Sequence, residues 1–204
     1  HASTLFAETA KVAMKEFVAN FEISKFANYY KLFQKGKDEH IINIWMANPE
    51  EQKIIEDLGI SGKLNDDPDN PVSGVYFSLA DPSKMGWYLD ILPEISEPVI
   101  NEDNSRTYDV KITLDNVMSD AEKKKASWYI IGSYEGGIRG FVHCFAPAGG
   151  TITDIETSNG MYILEDVYHD LGVAYNLDVL LQRGEPIEIT YKITTAPGVE
   201  TPLQ

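Results

Sequence analysis

The sequence predicts an α+β protein, with a helical and mixed α/β portion over residues 1–86 and antiparallel strands over residues 87–204. Three observations carry that prediction. Apolar residues recur at helical spacing near the N-terminus. They alternate with polar ones at strand spacing through the second half, and turns rich in Gly, Pro, Asn and Asp separate the alternating runs. A chain of 204 residues is also long enough to bury a true core.

Taken in order, Phe6, Ala10, Ala13 and Phe17 mark one apolar face of a helix over residues 3–20. Ile23, Phe26, Ala27, Tyr30 and Phe33 repeat the spacing up to Gly36, a natural helix stop, so two antiparallel helices joined near Asn20 are expected. Next comes HIINIWMANPEEQKIIEDLGISG, residues 40–62. Ile41, Ile42, Ile44 and Trp45 read as a short strand. Asn48 reads as a helix N-cap, Pro49 as the first helical residue, and Glu51 as the partner of a capping box. Ile54, Ile55 and Leu58 form the expected buried stripe of that helix, and Gly59 ends it. Every polar residue there has a structural task, so the stretch reads as a corner, not a site for chemistry. NDDPDNP (65–71) is a loop, VSGVYFSLA (72–80) strand-like, and DPSKMG a turn. In RTYDVKITLDNV (106–117), Tyr108, Val110, Ile112 and Leu114 share one face of a half-buried strand. Similar strands are expected at SWYIIGSY, IRGFVHCFA, GTITDIET, YNLDVLLQ and PIEITYKIT, with Glu122 to Lys125 a solvated loop and Gly136-Gly137 a hairpin turn. Residues 87–204 therefore read as an immunoglobulin-like antiparallel β-sandwich.

The net charge of -15 argues against whole classes of partner. Nucleic acid needs clustered Lys and Arg, and so does docking on an anionic membrane surface; here they are scarce and scattered. The single cysteine, Cys144, permits no internal disulfide. No apolar run reaches the roughly 18 residues of a membrane helix. The chain opens at His1 within a helical pattern and stops at TPLQ, so a longer parent protein is expected.

Motifs for catalysis and metals fail on spacing. Asn65, Asp67 and Asp69 imitate the start of a calcium loop, but Asn70 stands where the glycine belongs and Tyr76 where the bidentate glutamate belongs. His40, His143 and His169 lie far apart, and adjacent His143 and Cys144 point to opposite faces of a strand. Cys144 reads as a small buried hydrophobe. No nucleophile elbow, phosphate loop or dinucleotide fingerprint occurs. No catalytic residue, metal or cofactor is expected. The aromatics stand out instead: Trp87-Tyr88 and Trp128-Tyr129 each set one ring on either face of an expected strand. One ring of each pair then belongs to the core, and the other is exposed or packed on a neighbouring element. Packing between sheet and helices is the favoured reading; an exposed ring could stack on a sugar or a protein. Trp87 and Trp128 are the candidate ligand-binding residues.

The ordered segments HIINIWMANPEEQKIIEDLGISG, VYFSLADPSKMGWYLDI, RGFVHCFAPAGGTITDI and LQRGEPIEITYKITTAP resemble the C-terminal part of bacterial proteins in the family called domain of unknown function 4012. The resemblance spans roughly residues 30 to 198 and rests on their order, no single motif being specific. Lys84 lacks the family's preceding asparagines, and Arg183-Gly184-Glu185 replaces its Pro-Gly-Glu, which weakens any carry-over of loop contacts. The resemblance implies the extracytoplasmic region of an envelope protein anchored through a membrane helix outside this chain. It implies no catalytic residue. The expected role is a non-enzymatic structural or interaction module. The alternatives are a module for cell-wall glycan and part of an envelope enzyme with its catalytic groups elsewhere. The expected partner is a cell-wall glycan or a surface protein.

Overall fold

A computed structural model describes residues 2–39, 41–159, 163–167 and 173–204. Its contacts divide the chain into two compact units, His1–Lys63 and Leu64–Gln204. His40 and His169 lie outside the described residues.

In the first unit, helix α1 (Ala2–Ala19) and helix α2 (Phe26–Asp38) form where the apolar spacing predicts them. They meet at a corner where Phe21 stacks on Tyr29 at 4.9 Å, with Phe17 edge-on to both rings. The expected apolar face is not buried: Phe6, Ala10, Ala13 and Phe17 all remain exposed. Gly36 does not stop α2 either. The helix runs on to Asp38, and Gly36 is buried where the Ile42 side chain approaches it too closely for any Cβ. Residues 41–45 form no strand. Three backbone bonds hold them, from Ile44 N–H to the Ile60 C=O at 2.7 Å and from the Ile41 and Ile42 N–H groups to the Gly36 C=O at 2.8 and 3.2 Å. Among the described residues of this unit no second extended run offers a ladder. The corner after them is as expected. Helix α3 (Pro49–Asp57) starts where Asn48 Oδ1 accepts the Glu50 and Glu51 N–H groups. Its buried stripe shrinks to Ile55, because Ile54 and Leu58 face solvent.

The second unit is built of antiparallel strands, so the chain as described is α+β. The strands are β1 (Gly74–Leu79), β2 (Leu89–Ile95), β3 (Val99–Ile100), β4 (Arg106–Asn116), β5 (Ile138–Phe145), β6 (Thr151–Thr157), β7 (Ile163–Val167), β8 (Val173–Leu181) and β9 (Ile187–Thr194). One sheet runs β1-β5-β8-β7; the other runs β2-β4-β9-β6, with β3 also paired to β4. Chain neighbours β1 and β2 thus lie in different sheets. The division expected at residue 86 comes earlier in the structure, because β1 pairs along its whole length with β5 and belongs to the strand unit. Long-range pairing of this kind leaves no mark in local spacing.

The two sheets share one core. Strand alternation turns Tyr108, Val110, Ile112 and Leu114 inward from β4, and Ile187, Ile189, Tyr191 and Ile193 inward from β9. They meet Ile138, Val142 and Cys144 of β5 and Leu177, Val179 and Leu181 of β8. Cys144 is the buried hydrophobe expected, and burial pushes its thiol up to about 12. Burial likewise pushes up the Tyr191 phenol, with the neighbouring Cys144 adding to the shift. Both groups stay protonated in the fold at pH values where the unfolded chain ionises them. Unfolding then releases protons, so stability is whole below about pH 8.5 and falls above it, with a second decline starting near pH 10. Denaturant unfolding between pH 7 and 10.5 is expected to show a loss of about 1.4 kcal/mol per pH unit per proton. Cys144→Ala removes the first leg; a flat profile from pH 8 to 10 in the parent chain would show that the thiol is not shielded.

Candidate aromatic binding surface

Trp87 and Trp128 reach the surface by a route different from the expected one. Neither is on a strand. Residues Met85–Tyr88 make a tight 3-10 turn ahead of β2, and Trp128–Ile131 make a one-turn helix, α5, rather than a strand. Met85 is fully buried and anchors the first turn in the core; its N–H donates to Ser83 Oγ at 3.3 Å. The Tyr88 C=O accepts the Val117 N–H at 3.0 Å. Between these two fixed points the Trp87 indole projects into water, 88% exposed.

The segment carrying Trp128 is equally fixed. Helix α4 (Asp120–Lys125), expected as a loop, begins with a capping box in which Ser119 Oγ accepts the Glu122 N–H and the Glu122 carboxylate accepts the Ser119 N–H. Hydrogen bonds from Ser119 hold the Glu122 carboxyl below its usual range. The Arg183 guanidinium donates to the Met118 C=O at 2.8 Å and pairs with Asp120. In α5 the helical turn puts Trp128 and Tyr129 outward and Ile130 and Ile131 against the core. A strand would have split each of those pairs between two faces. Gly132 ends α5 at φ 62°, ψ -162°. Gly136-Gly137 forms no hairpin: Gly136 N–H bonds back to the Ile131 C=O, and the chain passes from α5 into β5.

The two segments are joined. Lys84 N–H donates to the Ile130 C=O at 3.0 Å, and Ser133 N–H to the Asp81 carboxylate at 3.3 Å. The Lys84 ammonium lies 5.2 Å from the centre of the Tyr129 ring, within cation–π range. A depression of about 540 Å³ opens between them, lined by Leu79, Ser83, Lys84, Trp87, Tyr88 and Ile130. Trp87 stands on this lining; Trp128 and Tyr129 lie beyond it on the exposed side of α5. Trp45, in the other unit, is also exposed.

Sequence reasoning missed a second cluster. On the outer face of the β1-β5-β8 sheet, His143 Nε2 lies 3.0 Å from Ser78 Oγ and His143 Nδ1 lies 2.6 Å from Asn176 Oδ1. An amide oxygen only accepts, so the Nδ1 proton goes to Asn176 and Nε2 accepts from Ser78. Beside it Arg139 pairs with Asp178 across β5 and β8. His143 and Asn176 are directly opposed in register and Ser78 is diagonal to His143, a pairing invisible in a sequence that separates them by up to 98 positions, from 78 to 176. The acidic loop after residue 64 turns on itself: Asn65 Oδ1 accepts the Asp67 N–H, Asp67 Oδ1 accepts the Asp69 N–H, and Asn70 donates to the Asp67 carboxylate. Among the described residues no group of His, Cys, Asp and Glu is arranged to hold a metal ion.

Comparison with family models, with curated proteins and with solved structures finds no match to this chain.

Proposed function

We propose that the Leu64–Gln204 unit is a non-enzymatic interaction module and that its contact surface is the platform of Trp87, Trp128 and Tyr129. The 88% exposure of Trp87 carries the reading. Two rigid anchors hold that indole in water at the rim of an apolar depression, and aromatic side chains so placed are typical centres of binding energy. Lys84 and Ser83 at the same rim supply polar partners, which favours a glycan ligand: a sugar stacks its C–H face on the ring and hydrogen-bonds with its hydroxyls. Two antiparallel sheets around one core are the support for reading the unit as an immunoglobulin-like sandwich. Its strand order differs, since an immunoglobulin domain pairs its first two strands. The cell-envelope setting, outside the membrane and attached through an anchor beyond this chain, rests on the resemblance to domain of unknown function 4012. The strongly acidic composition accords with it.

The Ser78-His143-Asn176 chain has the order of a nucleophile, a base and an orienting group, and it lies on a solvent-facing sheet surface.

The test is tryptophan fluorescence of the 204-residue chain titrated with soluble cell-wall glycans. A saturable shift is expected, weakened about tenfold or more in Trp87→Ala, the loss typical of a central aromatic contact. A flat response to every glycan would sink the glycan reading, and the interaction reading would then rest on a photo-crosslinker placed at position 87 reaching a surface protein.

A further inference from the structure

On the outer face of the β1-β5-β8 sheet, His143 is held on both sides. Its Nδ1–H donates to Asn176 Oδ1 at 2.6 Å, which leaves the Nε2 lone pair directed at the Ser78 hydroxyl, 3.0 Å away. Each of the three residues comes from a different strand, so strand pairing fixes their geometry. His143 faces Asn176 in register across β5 and β8, and Ser78 on β1 lies diagonal to it, opposite Phe141. Two positions beyond Asn176 on the same face, Asp178 pairs with Arg139 and ties β8 to β5.

The Ser78 hydroxyl is also open to solvent. Ser78 is exposed, and the neighbouring Tyr76 ring turns away from it, towards Gly74. A Cβ on Gly74 would come within 2.5 Å of Tyr76 Cε2, and the ring packs edge-on against Phe145 at 5.7 Å. The Phe141 ring, directly across from Ser78 and 39% exposed, offers an apolar surface beside the hydroxyl. Ser96 provides the contrast. It is exposed too, but its hydroxyl donates to the Glu97 C=O at 2.9 Å, an amide oxygen too weakly basic to take up the proton.

We propose that Ser78 is a modification site, a nucleophilic hydroxyl that accepts an acyl group from an activated ester or thioester. Ser78 Oγ attacks the acyl carbon while His143 Nε2 takes the hydroxyl proton. The Oγ–C bond forms, and the bond from the acyl carbon to the leaving oxygen or sulfur breaks. The proton then passes from the imidazolium to that leaving atom. Asn176 touches none of the reacting atoms; it is a positioning residue that fixes the tautomer. These residues supply a path for a proton, so the donor brings its own good leaving group, and that selects an activated acyl compound. The Phe141 ring favours an apolar acyl chain. A single transfer modifies the unit without turnover and uses none of the residues of the Trp87 platform, so it stands independently of the interaction reading.

The probe is p-nitrophenyl butyrate, with mass-spectrometric mapping of the acylated positions in the 204-residue chain. Ser78 is expected to acquire the butyryl group about a hundredfold faster than Ser96, the gain usual for a positioned base. His143→Ala is expected to bring Ser78 down to the Ser96 rate. Added imidazole is expected to restore part of that loss, a response that a purely structural role of the ring would not give. Asn176→Ala is expected to lower the Ser78 rate and, in nitrogen NMR of the ring, to move His143 away from the Nδ1–H tautomer. The inference is overturned if Ser78 in the parent chain reacts no faster than Ser96, a comparison within one folded molecule that depends on no variant. It is equally overturned if His143→Ala leaves the ratio of the two rates unchanged.

Discussion

Gly132→Ala is expected to destabilise the strand unit by about 3 kcal/mol, combining a backbone conformation open essentially to glycine with a methyl forced into a filled space. At φ 62° and ψ -162° an L side chain is strained before any contact is considered. The added methyl would also run into the Asp81 carboxylate and come within 2.6 Å of the Ser83 Cβ. Both neighbours are buried, and Asp81 is the residue that ties the α5 segment to the turn carrying Trp87. Relief therefore requires the two segments to separate, which opens the depression. A drop in the unfolding midpoint should come with a change in tryptophan emission and with loss of any ligand response. A Gly132→Ala chain with parent stability and emission would mean that the two segments are not locked to each other.

Ile189→Ala is expected to cost about 3–4 kcal/mol, because a fully buried isoleucine loses its transfer energy and leaves a cavity between two sheets that cannot close on it. Ile54→Ala, the matched change in α3, is expected to shift stability by less than about 0.5 kcal/mol, the usual effect at an exposed site. Apolar spacing alone puts both residues in a core. Parallel denaturant titrations of the two variants measure how far burial departs from that spacing. Equal losses would mean that the apolar side of α3 is covered in solution.

Much of the strand unit was legible in advance because strand alternation is a local signal with a global consequence. The inward positions of β4 and β9 could be named from the period of two, and each is buried. The N-cap at Asn48 was legible for a related reason: a side chain that caps its own helix needs no distant partner. The misreadings share a cause. WYII at 128–131 has the composition of a strand, yet its flanks have no neighbour to pair with, and a helical turn buries Ile130 and Ile131 while freeing both aromatic rings. Ile41 to Trp45 failed in the same way, an apolar run with no second strand beside it. The helix at Asp120–Lys125 was hidden because Glu122 to Lys125 has the composition of a solvated loop, and the Ser119 cap three residues before Glu122 lies outside that run.

Residue order decided which stretches alternate, where helices begin, and that Cys144 would serve packing. It also set the net charge of -15. Those properties arise within a few residues of the chain or from simple sums over it. Contacts between distant segments decided the rest. They assigned β1 to the strand unit, set His143 between Ser78 and Asn176, held Trp87 in water between buried Met85 and the Tyr88–Val117 hydrogen bond, and paired Gln204 with the segment just ahead of β1. Each of these depends on which strands become neighbours, and pairing energy is shared among backbone groups common to every residue. A sequence therefore states what a strand can bury long before it states beside which strand it will lie.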